Sequence, residues 1–207
     1  MSGLMLYTSS ASPFGRKVAI ALTELGMDNA VKKIDCNPWE SGAELLAANP
    51  LSKIPTLVLD DGMALYDSGV ICEHLNARDG RHRLLSADPT ARVTALRRQA
   101  LADGMLDAAI VIMLNRAQKP ERVHRGFVAR QEQIIARAFD ALEKEAPALH
   151  GHFDLGHIAT VCALDFISHS NIAEWREQQP KLAQWLDAIH KRPSVARNPA
   201  VPVAPAR

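Results

Sequence analysis

With 207 residues, 47% hydrophobic and 23% charged, and a formal net charge of +1, the chain has the composition of a globular protein long enough for one large domain or two modest ones. That charge offers no bulk attraction to nucleic acid or an anionic membrane, and no apolar run approaches bilayer-spanning length. The opening residues MSGLMLYTSS lack a basic lead and apolar core, and Cys36, Cys72 and Cys162 form neither a metal motif nor a convincing disulfide set; a reducing cytoplasm is the expected compartment.

Residues 4–7 are a short apolar run that predicts a buried strand. The turn and N-cap formers Thr8, Ser9, Ser10 and Ser12 follow, and then Pro13, which suits the first position of a helix. Val18, Ile20, Ala21, Leu22 and Leu25 give that helix an apolar face, and Gly26 stops it. Residues 31–36 predict a second strand and residues 40–48 a short helix ending at Asn49-Pro50.

Residues 49–71, NPLSKIPTLVLDDGMALYDSGVI, are the most informative stretch. Proline cannot donate to a strand ladder, so Pro55 directly before the run Thr56-Leu57-Val58-Leu59 needs a special cause. A cis Ile54-Pro55 bond is one such cause, turning the backbone groups of Ile54 toward a ligand. A turn at Asp60-Asp61-Gly62 predicts a hairpin, after which Asp67-Ser68 opens a helix over residues 68–77. That pair combines a carboxylate, a hydroxyl and the free N–H groups of a helix N-terminus, a receptor for a small zwitterionic peptide. Residues 78–88, with Arg78, Arg81, His82 and Arg83, read as a solvated linker.

Beyond Pro89 the pattern predicts helices alone, over residues 91–118, 121–144, 158–171 and 181–191. In the first of these, Val93, Leu96, Ala100, Leu101, Met105, Ala108 and Ile112 share one face. Asp107 is the only polar residue between Met105 and Leu114, so this segment either fills a bundle or lines an apolar pocket. Residues 193–207 carry four prolines and predict an extended tail. His150, His152 and His157 lie in a glycine-containing loop without the spacing of a metal site, and no metal is expected.

The mixed-sheet half, the X-Pro at its third strand, the Asp67-Ser68 pair and the all-helical half together resemble a cytosolic-type glutathione transferase. The residues that carry the resemblance are Ser12-Pro13-Phe14, the run from Asn49 to Pro55, and Asp67-Ser68; the overall look is closest to bacterial, serine-type members. The resemblance implies an α/β plus all-α chain: a thioredoxin-like glutathione-binding domain over residues 1–79, a linker over 80–88 and a helical bundle domain over 89–207. It implies glutathione as co-substrate, with Lys53 on the glycyl carboxylate, Ile54 and Pro55 at the cysteinyl unit, Asp67 at the γ-glutamyl amine, and Ser68 with the helix N-terminus at the γ-glutamyl carboxylate. Ser12 is the first candidate to donate a hydrogen bond to the thiolate and Ser10 the second; Tyr7, inside the strand, ranks below the serines.

The cysteine that thiol-transfer members carry before this proline is replaced by Ser12, which argues against chemistry through a mixed disulfide with the enzyme. The Ser-Ser-Cys pattern of the isomerase branch is also missing, and His157 with Thr160 stands where the family has a Ser and Asp capping pair. Phe14, Leu106, Ile110 and Met113 are the positions for an apolar electrophile pocket. Asp103 and Asp107 are either a solvated face or the carboxylates that reach the neighbouring subunit's glutathione in the homodimer the family implies. The expected activity is conjugation of the glutathione thiolate to a small hydrophobic electrophile; the alternatives are a non-catalytic protein-binding scaffold like stringent starvation proteins, or a glutathione-dependent isomerase, dehalogenase or peroxidase. Taken alone, Ser12 and Asp67 are also ordinary helix caps.

Overall fold

The computed structural model describes residues 3–40 and 42–201. Four strands, Leu4–Thr8 (β1), Val31–Asp35 (β2), Thr56–Val58 (β3) and Ala64–Leu65 (β4), form one sheet in the order β2-β1-β3-β4. β1 runs parallel to β2 and antiparallel to β3, and β3 is antiparallel to β4. The parallel pair is joined by the helix Pro13–Leu25 (α1), as a parallel connection requires. Ala43–Ala48 (α2) precedes the β3–β4 hairpin and Ser68–Asp79 (α3) follows it, so the expected order of strands and helices is the observed one.

The helical half consists of Pro89–Arg116 (α4), Arg125–Glu145 (α5), Leu155–His169 (α6), Pro180–Ile189 (α7) and the short Pro193–Ala196 (α8). None of the described helices is long and apolar enough to cross a membrane. α6 lies at the centre: each residue from Leu155 to Ile167 is buried, and α4 and α1 both pack on it. Its all-round apolar sequence is that of a helix enclosed by others.

Four expectations need correction. The α4 stripe is turned from the predicted one. Val93 and Ala100 are exposed, whereas Ala95, Arg98, Ala102, Met105, Leu106, Ala108, Ala109 and Ile112 are buried. The segment after α3 is not a solvated linker. The buried Asn76 side chain accepts from Leu84 N (2.9 Å) and Leu85 N (3.1 Å) and donates to Leu85 O, while both leucines are enclosed. Arg83 donates to the carbonyls of Glu24 (2.7 Å) and Leu25 (2.5 Å), a cation placed on the negative end of α1.

α6 also begins a turn before the predicted start. Asp154 is its N-cap and forms a reciprocal capping box with His157: the His157 N–H donates to the Asp154 carboxylate (3.0 Å), and the Asp154 N–H donates to His157 Nδ1 (3.2 Å). The start signal is therefore present in altered residues, with His157 taking the reciprocal place in the box. Finally, the tail is partly ordered. α8 packs on α1, Val195 is buried, and Asn198 O accepts from Arg16 Nε at 2.7 Å. Of the proline-rich tail, residues 202–207 lie outside the described residues.

Candidate active site

Register brings three loops to one end of the sheet. β1 ends at Thr8, and its neighbour Tyr7 pairs with Thr56, the first residue of β3. Pro55 and Ile54 therefore enter where β1 leaves, just outside the ladder, and the Ile54–Pro55 peptide is cis. Because β4 is antiparallel to β3, with Leu65 opposite Leu57, the chain exits β4 at that same end into Tyr66 and Asp67. The loop of residues 9–12, Lys53–Ile54–Pro55 and Asp67–Ser68 thus converge.

In the first loop, Ser12 caps α1: the Gly15 N–H donates to Ser12 Oγ (3.0 Å), and Pro13 occupies the first helical position. A hydroxyl that accepts one bond retains its hydrogen for another partner, so the cap is compatible with donation to a sulfur held over the helix N-terminus. Ser10 is exposed, while Ser9 accepts a long bond from Ala11 N (3.4 Å). Ser10, Ser12, Pro13 and Arg16 meet Phe166 and Val201 around a small cavity of about 10 Å³, room for one water. Tyr7 is buried, and burial together with Glu44 and Cys36 raises its phenol pKa, so its ionised form is disfavoured.

The loop before β3 is shaped by two residues for which the sequence alone suggested no role in the site, Asn49 and Thr56. Asn49, fully buried, donates to Lys53 O (3.0 Å) and Thr56 Oγ1 (2.9 Å) and accepts from Leu51 N (3.0 Å). Thr56 donates to the same Lys53 carbonyl at 2.8 Å. Together they pin the backbone that presents the exposed Lys53 and the half-buried Ile54. The signal for Asn49 was in view, since it precedes a proline, but it reads locally only as a helix end.

At the third corner Asp67 is the N-cap of α3, its Oδ1 accepting from Gly69 N (2.9 Å) and Val70 N (3.4 Å). The Asp67 carboxylate is exposed, whereas Ser68 is only 2% exposed. Gly69 makes room for a residue from α4: a Cβ there would lie 2.5 Å from Gln99 Nε2 and 3.2 Å from Asp67 Oδ1. Gln99 in turn donates to Asp103 (3.3 Å).

Asp103 is not a solvated residue. It accepts from the fully buried Lys17 ammonium of α1 through both oxygens, at 2.8 and 2.7 Å. Asp107, one turn on, is exposed; partial desolvation and the Asp103 charge raise its pKa, while Lys53 and Lys17 oppose the shift. Leu106 has no exposed surface and belongs to the core, so it is withdrawn from the pocket positions; Phe14, Ile110 and Met113 are half-buried against that core. The Cys72 and Cys162 thiols are pushed up to about 12 by burial, which leaves them inert at neutral pH. Among the described residues no group of three or more His, Cys, Asp or Glu is placed to hold a metal ion.

A four-stranded thioredoxin-like sheet with a cis-proline loop, followed by a helical half, defines the class of fold. Comparison with known proteins narrows it. Residues 11–78 match the family model of the glutathione S-transferase N-terminal domain. A glutathione transferase family member from Pseudomonas fluorescens Pf-5, solved with bound glutathione, is 37% identical with a TM-score of 0.90, over 96% of this chain and 99% of that one. A glutathione S-transferase from Methylobacillus flagellatus KT, also solved with glutathione, is 30% identical with a TM-score of 0.87, over 96% and 100%. The uncharacterized GST-like protein YibF of Escherichia coli K12 is 29% identical over 198 residues, 94% of this chain and 97% of that protein. The chain belongs to the glutathione S-transferase family.

Proposed function

We propose that the chain is a glutathione transferase acting as a cytoplasmic homodimer, with residues 1–79 as its glutathione-binding unit and 89–207 as the helical unit beside the electrophile. One observation carries the reading: Ser12 at the start of α1, the cis Ile54–Pro55 loop and the Asp67 cap of α3 are brought to one end of the sheet by strand register. Glutathione bound in two relatives of this fold supports the choice of ligand. In this reading Lys53 attracts the glycyl carboxylate, Ile54 pairs with the cysteinyl backbone, and the Asp67 carboxylate holds the γ-glutamyl ammonium. Ser68, nearly enclosed, contributes through the first turn of α3.

A free thiol with pKa ~8.5 is only a few per cent ionised at neutral pH, and lowering it by about two units, roughly 2.7 kcal/mol, makes the thiolate the major form. The positive end of α1 and the Ser12 hydroxyl supply that stabilisation. The thiol proton leaves to solvent, the sulfur lone pair forms a C–S bond with the electrophile, and the displaced group departs with the bonding electrons. Phe14, Ile110 and Met113 give the electrophile an apolar surface.

Calorimetric titration with glutathione and conjugation of chlorodinitrobenzene test this. Micromolar to low millimolar binding is expected, and Ser12→Ala should lower turnover by about tenfold to a hundredfold while Ser10→Ala changes it little. Loss of activity in Ser10→Ala alone would transfer the role to that hydroxyl. Absence of glutathione binding at millimolar concentration would leave the protein-binding scaffold as the better account.

A further inference from the structure

Two helix starts face the ends of the tripeptide in the reading above, α1 with Ser12 and α3 with Asp67 and Ser68. A run of contacts through α4 joins them. The enclosed Lys17 ammonium of α1 donates to both oxygens of Asp103, at 2.8 and 2.7 Å. Asp103 Oδ2 also accepts from Gln99 Nε2 (3.3 Å), one turn earlier on α4. The Gln99 amide in turn lies on Gly69, the second residue of α3. A Cβ at Gly69 would come 2.5 Å from Gln99 Nε2, 3.7 Å from Gln99 Cδ and 3.2 Å from Asp67 Oδ1.

The first turn of α3 has few enclosed groups to fix it. Of residues 67–70 only Ser68 is buried, and Asp67 and Val70 are exposed. The Asp67 cap accepts from Gly69 N (2.9 Å) and Val70 N (3.4 Å), within the same turn, so it moves with that turn rather than anchoring it. The orientation of Gln99 is set from the other side. Its Nε2 faces a carboxylate, and exchanging the two ends of the amide would set Oε1 against Asp103 instead. As it stands, Oε1 is buried with no hydrogen-bond partner among the described residues, a costly state that the bond to a charged acceptor offsets.

We propose that Gln99 is a positioning residue for glutathione: held by Asp103 and through it by Lys17, it braces the first turn of α3 at a fixed separation from the start of α1. It acts through Gly69 and the Asp67–Ser68 corner, not by touching the ligand. The inference rests on the glutathione reading of this site and assigns what sets its γ-glutamyl end. It also gives Gly69 a reason, since any side chain there displaces the amide from Asp103.

Calorimetric titration of the full-length chain and its variants with glutathione tests the brace. Gln99→Ala should raise the glutathione Kd about tenfold, with turnover at saturating glutathione changing far less, the pattern of lost binding rather than lost chemistry. Gln99→Met, similar in length but without the amide, should weaken glutathione severalfold at an unchanged thermal midpoint, because the unpaired acceptor leaves with the bond. Gly69→Ala should cost about tenfold in the native background and about twofold or less on top of Gln99→Ala, since the group it displaces is then missing. If Gln99→Ala does not fold, Gln99→Met decides the matter. Native glutathione affinity in both Gln99 variants, or an equal cost of Gly69→Ala in the two backgrounds, would overturn the proposal while leaving the glutathione reading intact. No glutathione binding by the unaltered chain at millimolar concentration would remove that reading, and the proposal with it.

Discussion

Lys17 has no exposed side-chain surface, and an ammonium removed from water needs a close counter-charge. Asp103 supplies it from the other half of the chain, with Phe14 alongside at 5.7 Å from the ammonium to its ring centroid. Removing one partner of such a pair leaves an uncompensated buried charge. Asp103→Ala should therefore lower stability by roughly 3 kcal/mol, the low end of the range because Asp103 keeps some exposure, and adding Lys17→Met should restore most of the loss. Urea unfolding of the two variants decides this; a double variant no more stable than Asp103→Ala would show that the pairing is not what Asp103 contributes. Nothing local in the sequence marks this pair, since its members are 86 residues apart. Ser12 and Asp67 were legible because a cap and the helix it serves are adjacent in the chain. Asn49 and Gln99 were not, because what each holds is visible only once the loop or the neighbouring helix is in place.

The contact between α4 and α6 sets the geometry of the helical half. It is tight at Gly156, in the first turn of α6, where a Cβ would come 2.7 Å from Ala95 O and 2.8 Å from Arg98 Cβ. The first of these is backbone and has no rotamer through which to yield. Gly156→Ala should thus destabilise by about 1–3 kcal/mol through overpacking, although alanine is the better helix former. A thermal melt is sufficient, and an unchanged or raised midpoint would contradict the close approach. Sequence periodicity located α6 but placed its start three residues late, since the cap that matters, Asp154, lies in a loop rich in glycine and histidine. The segment after α3 misled for a related reason. Its arginines look like a wet linker until Asn76 and the end of α1 supply their partners. By contrast the β1–α1–β2 unit and the hairpin were readable, because their signals, short apolar runs, turn residues and caps, are local in the chain.

At the scale of the molecule, four carboxylates among the described residues have pKa values below their ordinary ones. Burial acts upward on Glu24, Asp154 and Asp165, but it is outweighed by Arg192, by His157 with Arg98, and by His190 with Arg16, respectively. Asp79 is held down chiefly by hydrogen bonds from Arg83 and Arg81. A carboxylate with a lower pKa folded than unfolded adds stability that is complete above its unfolded value, about 4, and is lost as pH falls through the folded one. Asp107, raised, works in the opposite sense. The urea midpoint should hold from pH 7 to about 5 and then decline steadily toward pH 3; an equal midpoint at pH 3 and pH 7 would refute the account. Several of these bonds meet on one helix. α1 is tied to α4 through Lys17, to α6 and residue 198 through Arg16, and to Arg192 through Glu24, while Arg83 closes its last carbonyls. A hybrid made by joining this sheet to a relative's helices within residues 80–88 would preserve every secondary-structure element. It would still strand Lys17 or Arg16 unless the incoming half carried acids at positions 103 and 165. A half is exchangeable between relatives only together with the acids that answer Lys17 and Arg16.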